Sequence, residues 1–397
     1  MNTNIYTSRS RIVITCSKRL SPYLEQEVRD LGYEIERVFP TGLELFGTVN
    51  DCIRLNLNLR CASQVHYSIL EFKAKNPDEL YRTLSEYSWE NIIDKDGYFS
   101  VTCNVDTPSI NNTMFVNVKV KDAIVDRIRA KTSKRPNSGS ELSGAVIYLY
   151  WKDDRAEVFV DTSGETLSKH GYRKIPGKAP MLEALAAATI LATKWDGKSP
   201  FVNPMCGSGT LAIEAAMIAT DRRPGLYRTN YSYMHFLQYD QQVHHQEMEA
   251  LKKRVRKVDG LVIVASDNRE DAINISKVNA AVAGVEKLIR FQVCDFEDTS
   301  LPSEPGVVFF NPEYGERLGE IAQLTETYKR IGDFMKKKCQ GYHGYIFTAN
   351  LDLAKKIGLK ASRRIEFYTA KLDCRLLEYE LYAGTKRQPD EAVNATT

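Results

Sequence analysis

Asn203-Pro-Met-Cys-Gly-Ser-Gly-Thr210, entered from the apolar pair Phe201-Val202, is the stretch whose reading decides the fold. A short strand delivers the chain into Gly207-Ser208-Gly209, where missing side chains permit positive φ and let backbone N–H groups approach a ligand closely. A helix starting at Thr210 then points its positive end at that ligand. Alone, the turn is also compatible with a plain strand-to-helix connection, and Gly207-x-Gly209-x-x-Ala212 fits the dinucleotide variant G-x-G-x-x-A.

Around this turn the chain alternates. A helix rich in alanine, with proline at its first turn, is predicted over 180–194. Apolar strands are predicted at 201–202, 261–265, 289–293, 307–310 and 345–348, with helices between them, which specifies a doubly wound, largely parallel α/β sheet. The pair 365–368 and 376–382 is spaced like a closing antiparallel hairpin, and the tail from Thr385 is polar and reads as disordered.

Upstream the rhythm is different. A strand (11–16), a helix (22–31), two β segments (34–39 and 42–47) and a further helix make a small α+β unit. Strands at 65–72, 98–105, 146–150 and 156–160, with helices at 77–87 and 113–131 and a polar loop at 132–143, make a second. The expected units are 1–60, 61–165 and 166–385, followed by a polar tail, 386–397.

At 397 residues the chain is long enough for two or more domains, each with its own core. Its 43% apolar and 26% charged content is ordinary for a soluble protein. There is no run of about eighteen apolar residues, and the polar start Met1-Asn-Thr-Asn lacks the layout of a signal peptide. A cytoplasmic protein with no membrane partner is expected. The eight cysteines are scattered and mostly within apolar runs, which favours reduced buried thiols over disulfides or zinc. Six histidines, clustered only at His244-His245, offer no metal-ligand spacing, so no metal is expected. A net charge of +3 does not decide for a nucleic-acid partner; the local runs 131–135, 252–257 and Arg363-Arg364 suit a phosphate-binding face or a solvated surface.

The acidic residues choose between cofactors. A dinucleotide fold places its ribose-binding carboxylate about 20 residues past the glycines. Here the next strand ends much later, at Ala265-Ser266-Asp267, beyond an insertion (221–257) rich in tyrosine, histidine and basic residues. Hydride transfer is therefore the poorer reading. An S-adenosylmethionine (SAM) site uses the same geometry with the glycine turn beside the amino-acid end and Asp267 accepting from the ribose hydroxyls. Asp295 would then accept from the adenine amino group, with Phe296 against the ring; helix or turn capping is the plainer role for either aspartate. The residues assigned to the cofactor are Asn203, Pro204, Gly207, Gly209, Thr210, Asp267, Asp295 and Phe296.

The strand 307–310 runs directly into Asn311-Pro312-Glu313-Tyr314-Gly315, at the carboxyl edge where this architecture binds ligands. Methylating an exocyclic amine needs no strong base, because the sulfonium is a very good donor. The site must hold the amine in line with the methyl group and free its lone pair. The Asn311 side-chain oxygen and the Pro312 carbonyl suit the two amine hydrogens, and Tyr314 suits stacking on a base splayed out of its helix. A simple Asn-Pro turn is the competing reading.

Longer stretches carry a family resemblance: Asp161-Thr-Ser-Gly-Glu-Thr-Leu-Ser-Lys-His-Gly-Tyr-Arg173, Ala179-Pro-Met-Leu-Glu183, the glycine turn with Glu214, Asn311-Pro-Glu-Tyr-Gly-Glu-Arg-Leu-Gly319 and Lys371-Leu-Asp-Cys-Arg-Leu-Leu377. From about Arg54 to Tyr382 the chain resembles the THUMP-domain class I SAM-dependent RNA methyltransferases, most closely the bacterial 23S rRNA guanine-N2 methyltransferases. The resemblance implies a Rossmann-like SAM methyltransferase domain preceded by α+β ferredoxin-like and THUMP RNA-binding units. It also implies N2-methylguanosine formation in structured RNA, large-subunit rRNA first and tRNA as the alternative. Some members carry a second methyltransferase domain, before which this chain stops.

Two positions depart from the family pattern. Asn203 stands where aspartate is common, removing a charge that helps hold the cofactor's ammonium. Glu313 replaces the second proline of Asn-Pro-Pro-Tyr, which loosens the turn; it is expected to accept from guanine N1–H and so favour guanine. These departures are also what a catalytically decayed RNA-binding ribosome-assembly factor would show, and an adenine-N6 methyltransferase would use the same turn. Lys131, Lys134 and Arg135 are the expected RNA contacts. Arg173 is grouped with them, and it and Arg317 are expected to face the substrate or brace the pocket.

Overall fold

Ile12 and Ile14 alternate with Arg11 and Val13 in β1 (Ser10–Thr15), so one face of the strand is buried and the other carries charge. The computed structural model describes residues 4–108, 110, 112–177, 180–315, 318–369 and 372–382, the side chains of 318–321 excepted. Arg317 and the tail from Thr385 lie outside the described residues.

The first half continues with α1 (Ser21–Asp30), β2 (Arg37–Phe39), β3 (Gly42–Gly47), α2 (Val49–Asn58), β4 (Gln64–Lys73), α3 (Pro77–Glu86), β5 (Tyr98–Asp106), α4 (Thr113–Thr132), β6 (Asn137–Gly139), β7 (Ala145–Lys152) and β8 (Arg155–Asp161). Local chemistry sets several boundaries. Thr48 and Asp51 form a capping box on α2, and Asn76 caps α3 ahead of Pro77. The two α+β units read in the sequence share one eight-stranded sheet, in the order β2-β3-β1-β4-β8-β7-β5-β6. The strand that joins them is β4: one edge pairs with β1 (Ile14 opposite Val65) and the other with β8 (Tyr67 opposite Val160), so neither row of backbone groups is left open.

The second half comprises α5 (Glu183–Leu191), β9 (Phe201–Pro204), α6 (Thr210–Ala219), α7 (Gln241–Arg254), β10 (Ile263–Asp267), α8 (Glu270–Val282), β11 (Ile289–Val293), β12 (Val307–Phe310), α9 (Leu318–Lys338), β13 (His343–Thr348), α10 (Leu351–Lys355), β14 (Arg363–Thr369) and β15 (Leu372–Glu380). Its seven-stranded sheet runs β11-β10-β9-β12-β13-β15-β14; the first five strands are parallel and the closing hairpin is antiparallel. The order reverses between β9 and β12, so the crevice between the ends of those two strands is the switch point where a ligand fits. The helix expected from 180 starts at Glu183, because Leu182 before it is extended (φ −63°, ψ 141°).

The insertion 221–257 clasps the two halves together. The Ser232 hydroxyl accepts from Val146 N (2.8 Å), Tyr233 N donates to Thr162 O (3.1 Å), and the Tyr6 hydroxyl donates to Tyr233 O (2.6 Å). Leu237 N donates to Ile92 O (2.9 Å), and the Arg228 guanidinium donates to the carbonyls of Thr166 and Glu165, both at 2.7 Å. All eight cysteines are free thiols, six of them buried. Among the described residues no helix is long and apolar enough to cross a membrane, and no group of three or more His, Cys, Asp or Glu could hold a metal ion.

Candidate active site

Strand β9 ends in a run of left-handed backbone: Met205 at φ 57°, Gly207 at 55° and Gly209 at 81°. A Cβ on Gly209 would sit 2.9 Å from the Ser276 hydroxyl oxygen, so this position requires glycine for space as well as for conformation. Gly207 differs, with nothing within 4 Å of where its Cβ would lie, which leaves the backbone open on that side. The turn is anchored from β10 and α8: Gly207 N donates to Asp267 Oδ2 (3.0 Å), and Ser276 Oγ donates to Gly207 O (2.7 Å). Pro204 lies opposite Ser266 at the end of β9, and Thr210 is buried at the start of α6.

Asn203 is 1% exposed, and its Nδ2 donates to Phe309 O (2.9 Å), tying β9 to β12 at the switch point. Its Oδ1 is buried without a hydrogen-bond partner. A buried acceptor left unpaired costs roughly 1–3 kcal/mol, and an ammonium group arriving at the crevice would relieve that cost. With the open backbone of Gly207, this orphaned oxygen fits the amino-acid end of SAM. The other end is less open. Asp267 Oδ1 also accepts from Arg269 N (3.1 Å), while Asp295 caps the short turn Phe296–Asp298 and accepts from Arg330 Nη2 (2.9 Å).

Phe296 does not wall the ligand site. That short turn rotates it inward, 6% exposed, between Phe310 (6.0 Å, 88°) and Phe334 (6.1 Å, 85°), with the Arg330 guanidinium 4.9 Å above it. Burial between two edge-on rings outweighs exposure at a pocket mouth.

Arg173 likewise corrects the expectation of an RNA contact. Its Nη2 donates to Met181 O (2.6 Å) and Thr210 Oγ1 (3.1 Å), its Nε donates to Glu183 Oε1 (3.3 Å), and its side chain is 11% exposed. The guanidinium is spent bracing a strap over the glycine turn. Asn279 of α8 completes the brace: its Oδ1 accepts from Lys174 N and Ile175 N, and its Nδ2 donates to Ile175 O (3.1 Å). Sequence reasoning missed Asn279 and Ser276, whose only signal is a polar residue on an otherwise apolar helix face.

Behind the strap His170 and Glu214 are both 0% exposed, with Nδ1 2.7 Å from Oε1 and Nε2 2.9 Å from Arg60 O. Burial pulls the His170 pKa down, but the Glu214 carboxylate and the Arg60 carbonyl outweigh it and hold it above its ordinary value.

The catalytic turn follows β12. The Tyr314 hydroxyl donates to Asn311 Oδ1 (2.7 Å), so the oxygen expected to be free for an amine already holds one donor and has one lone pair left. Burial pushes the Tyr314 phenol well above its ordinary range, so it remains a donor. The turn lacks its second proline but is held from behind: the Tyr328 hydroxyl donates to Glu313 O (3.2 Å), and Asn350 Nδ2 donates to Tyr314 O (3.1 Å). Pro312 is buried, the Glu313 side chain is exposed, and Gly315 closes the turn at φ 71°.

The basic runs divide. Lys131 and Arg135 are exposed at the end of α4, and Lys134 is exposed but paired with Asp96 (2.7 Å). In the run 252–257, Arg254 turns onto Asp221 (3.0 Å) and Arg256 onto Ala219 O (3.0 Å), so those two arginines serve the fold.

A doubly wound sheet with a glycine turn at its switch point and Asn-Pro-x-Tyr ending the adjacent strand defines a class I SAM-dependent methyltransferase. The chain belongs to the RMKL-like methyltransferase domain family, which matches residues 170–378; residues 11–66 match the RlmL ferredoxin-like domain and residues 74–161 the THUMP domain. It is similar to the ribosomal RNA large subunit methyltransferase K/L of Syntrophotalea carbinolica, 34% identical over 379 residues and 92% of this chain, but spans about half, 53%, of that protein. A Synechocystis protein named for an RNA methyltransferase activity still conjectural is 30% identical over 368 residues, covering 93% of this chain and 96% of its own length. A crystal structure complexed with SAH, described as that of a conjectured methyltransferase, superposes with a TM-score of 0.85 at 26% identity, covering 96% of this chain and all of the other.

Proposed function

We propose that this chain transfers a methyl group from SAM to N2 of guanosine in structured RNA, large-subunit ribosomal RNA, in the cytoplasm. The observation that carries the reading is the Asn311–Gly315 turn, held rigid beside a crevice whose backbone and orphaned Asn203 oxygen suit the cofactor. When bound, SAM supplies an activated methyl group on its sulfonium. Asn203 Oδ1 takes the ammonium, Gly207 and Gly209 let the backbone approach, Pro204 and Thr210 shape the turn, and Asp267 and Asp295 accept from the ribose and the adenine amino group.

The residues that act on the base sit on the other side of the switch point. Asn311 Oδ1 and the Pro312 carbonyl accept the two amine hydrogens, which orients the nitrogen lone pair, and the Tyr314 ring stacks on the base. The exposed Glu313 carboxylate is within the same turn and accepts from guanine N1–H, an edge that adenine lacks. The THUMP match and the rRNA methyltransferase name of a relative support RNA, and rRNA in particular, as the substrate. Lys131, Lys134 and Arg135 contact its phosphates.

The test is transfer of labelled methyl from SAM to unmodified total RNA, comparing wild type with Asn311→Ala and digesting the product to nucleosides. Label in N2-methylguanosine of the large rRNA, lost in the variant, supports the assignment. Label in N6-methyladenosine or in tRNA moves the base or the substrate. No transfer despite SAM and RNA binding leaves a decayed assembly factor instead.

A further inference from the structure

The N-terminal half meets the catalytic sheet at its edge strand, β14. Tyr23, in the first turn of α1, lies on Phe367 with ring centroids 5.8 Å apart and planes within 14°. Phe367 meets Phe347 at 6.1 Å and 61°, and Phe347 meets Tyr314 at 6.3 Å and 60°. Both middle rings are buried, Phe367 at 0% and Phe347 at 1% exposure. On the alternate side of the strand, Lys18 Nζ sits 4.5 Å over the Tyr368 ring and Arg19 pairs with Glu366. One loop and one helical turn thus grip β14 at successive residues that point to opposite faces.

We infer that Tyr23 is a positioning residue for Tyr314: through Phe367 and Phe347, the N-terminal unit sets the plane of the ring on which the target base stacks. The inference rests on the reading of Tyr314 as that stacking platform. Hydrogen bonds fix both ends of Tyr314, its hydroxyl on Asn311 and its carbonyl on Asn350, but they leave the tilt of the ring to its packing. Phe347 is the ring it packs against. With glutamate in place of a second proline, the backbone of the turn supplies less stiffness of its own, and support from behind counts for more. Close-packed interiors transmit displacement, so a gap beside Phe367 passes through Phe347 to Tyr314. The ferredoxin-like unit, which shares one sheet with the THUMP unit, thereby sets the geometry in which the base is presented.

The experiment uses the full chain with Tyr23→Ala and Tyr23→Phe, assayed below their melting temperatures by methyl transfer at saturating SAM and RNA. Hydrogen–deuterium exchange across 311–315 is followed alongside. Tyr23→Ala is expected to lower kcat about tenfold, with KM for SAM unchanged and faster exchange across 311–315; Tyr23→Phe, which keeps the ring, is expected to restore wild-type behaviour in both. A wild-type kcat with unchanged exchange in Tyr23→Ala, or equal impairment in Tyr23→Phe, overturns the inference. A wild type that methylates no RNA refutes the proposed function separately, and the exchange comparison then decides the positioning alone.

Discussion

Replacing His170 with alanine tests the buried pair that joins the two halves beneath the strap. A backbone carbonyl can only accept, so Nε2 carries a proton toward Arg60 O, and the 2.7 Å contact between Nδ1 and Glu214 Oε1 needs a second proton between them. The raised pKa of His170 puts that second proton on the ring, which makes the pair an imidazolium–carboxylate, with both side chains 0% exposed. His170→Ala leaves the Glu214 carboxylate buried without its partner, a loss of about 3–5 kcal/mol, and strands the Arg60 carbonyl, an overlapping cost of roughly 1–3 kcal/mol. Against a total stability of about 5–15 kcal/mol the change is large.

The pH dependence follows from the direction of the shift. The folded-state pKa of His170 is raised above its unfolded value, so the stabilisation is complete below the unfolded pKa of about 6.5 and is lost as pH rises through the higher folded pKa. Urea denaturation of wild type and His170→Ala at pH 6 and pH 8 measures both effects. Wild type is expected to be more stable at pH 6 by a margin that His170→Ala lacks. A loss under about 1 kcal/mol, or the same pH dependence in both proteins, would refute the ion-pair assignment.

Gly209→Ala forces a Cβ to within 2.9 Å of the Ser276 hydroxyl at φ 81°, so calorimetry should show weaker SAM binding and a stability loss of at least about 1–2 kcal/mol. Asn203→Asp removes the donor to Phe309 O and sets a carboxylate against that carbonyl; a lower melting temperature is expected even if the added charge tightens SAM binding, and an unchanged melting temperature would contradict the hydrogen bond. Arg173→Ala should weaken SAM binding while leaving RNA affinity and its salt dependence as they were, because every role shown for that guanidinium braces the cofactor turn. Lys131→Ala combined with Arg135→Ala should do the reverse, lowering RNA affinity and making its dependence on salt shallower by about one unit for each phosphate no longer neutralised.

Local signals in the sequence were enough for the catalytic half. Apolar strands alternating with helices, a glycine turn and an Asn-Pro turn directly after a strand specify the doubly wound sheet and put both motifs at its carboxyl edge, because strand period, positive φ and proline geometry act over a few residues. The helix capped by Thr48 and Asp51 is readable for the same reason. What only the tertiary structure decided concerns side chains whose partners are remote in the chain. Arg173 has the composition of a phosphate contact but finds Thr210 and Glu183; Phe296 has that of a ring wall but is drawn between Phe310 and Phe334. Asn279 and Tyr23 gave no signal of their partners, since a lone polar or aromatic residue on a helix says nothing of what will pack against it. The joining of two α+β units through both edges of β4, and the clasp made by the insertion, follow the same rule: local backbone preference names the elements, whereas pairing and burial between distant elements choose each side chain's partner.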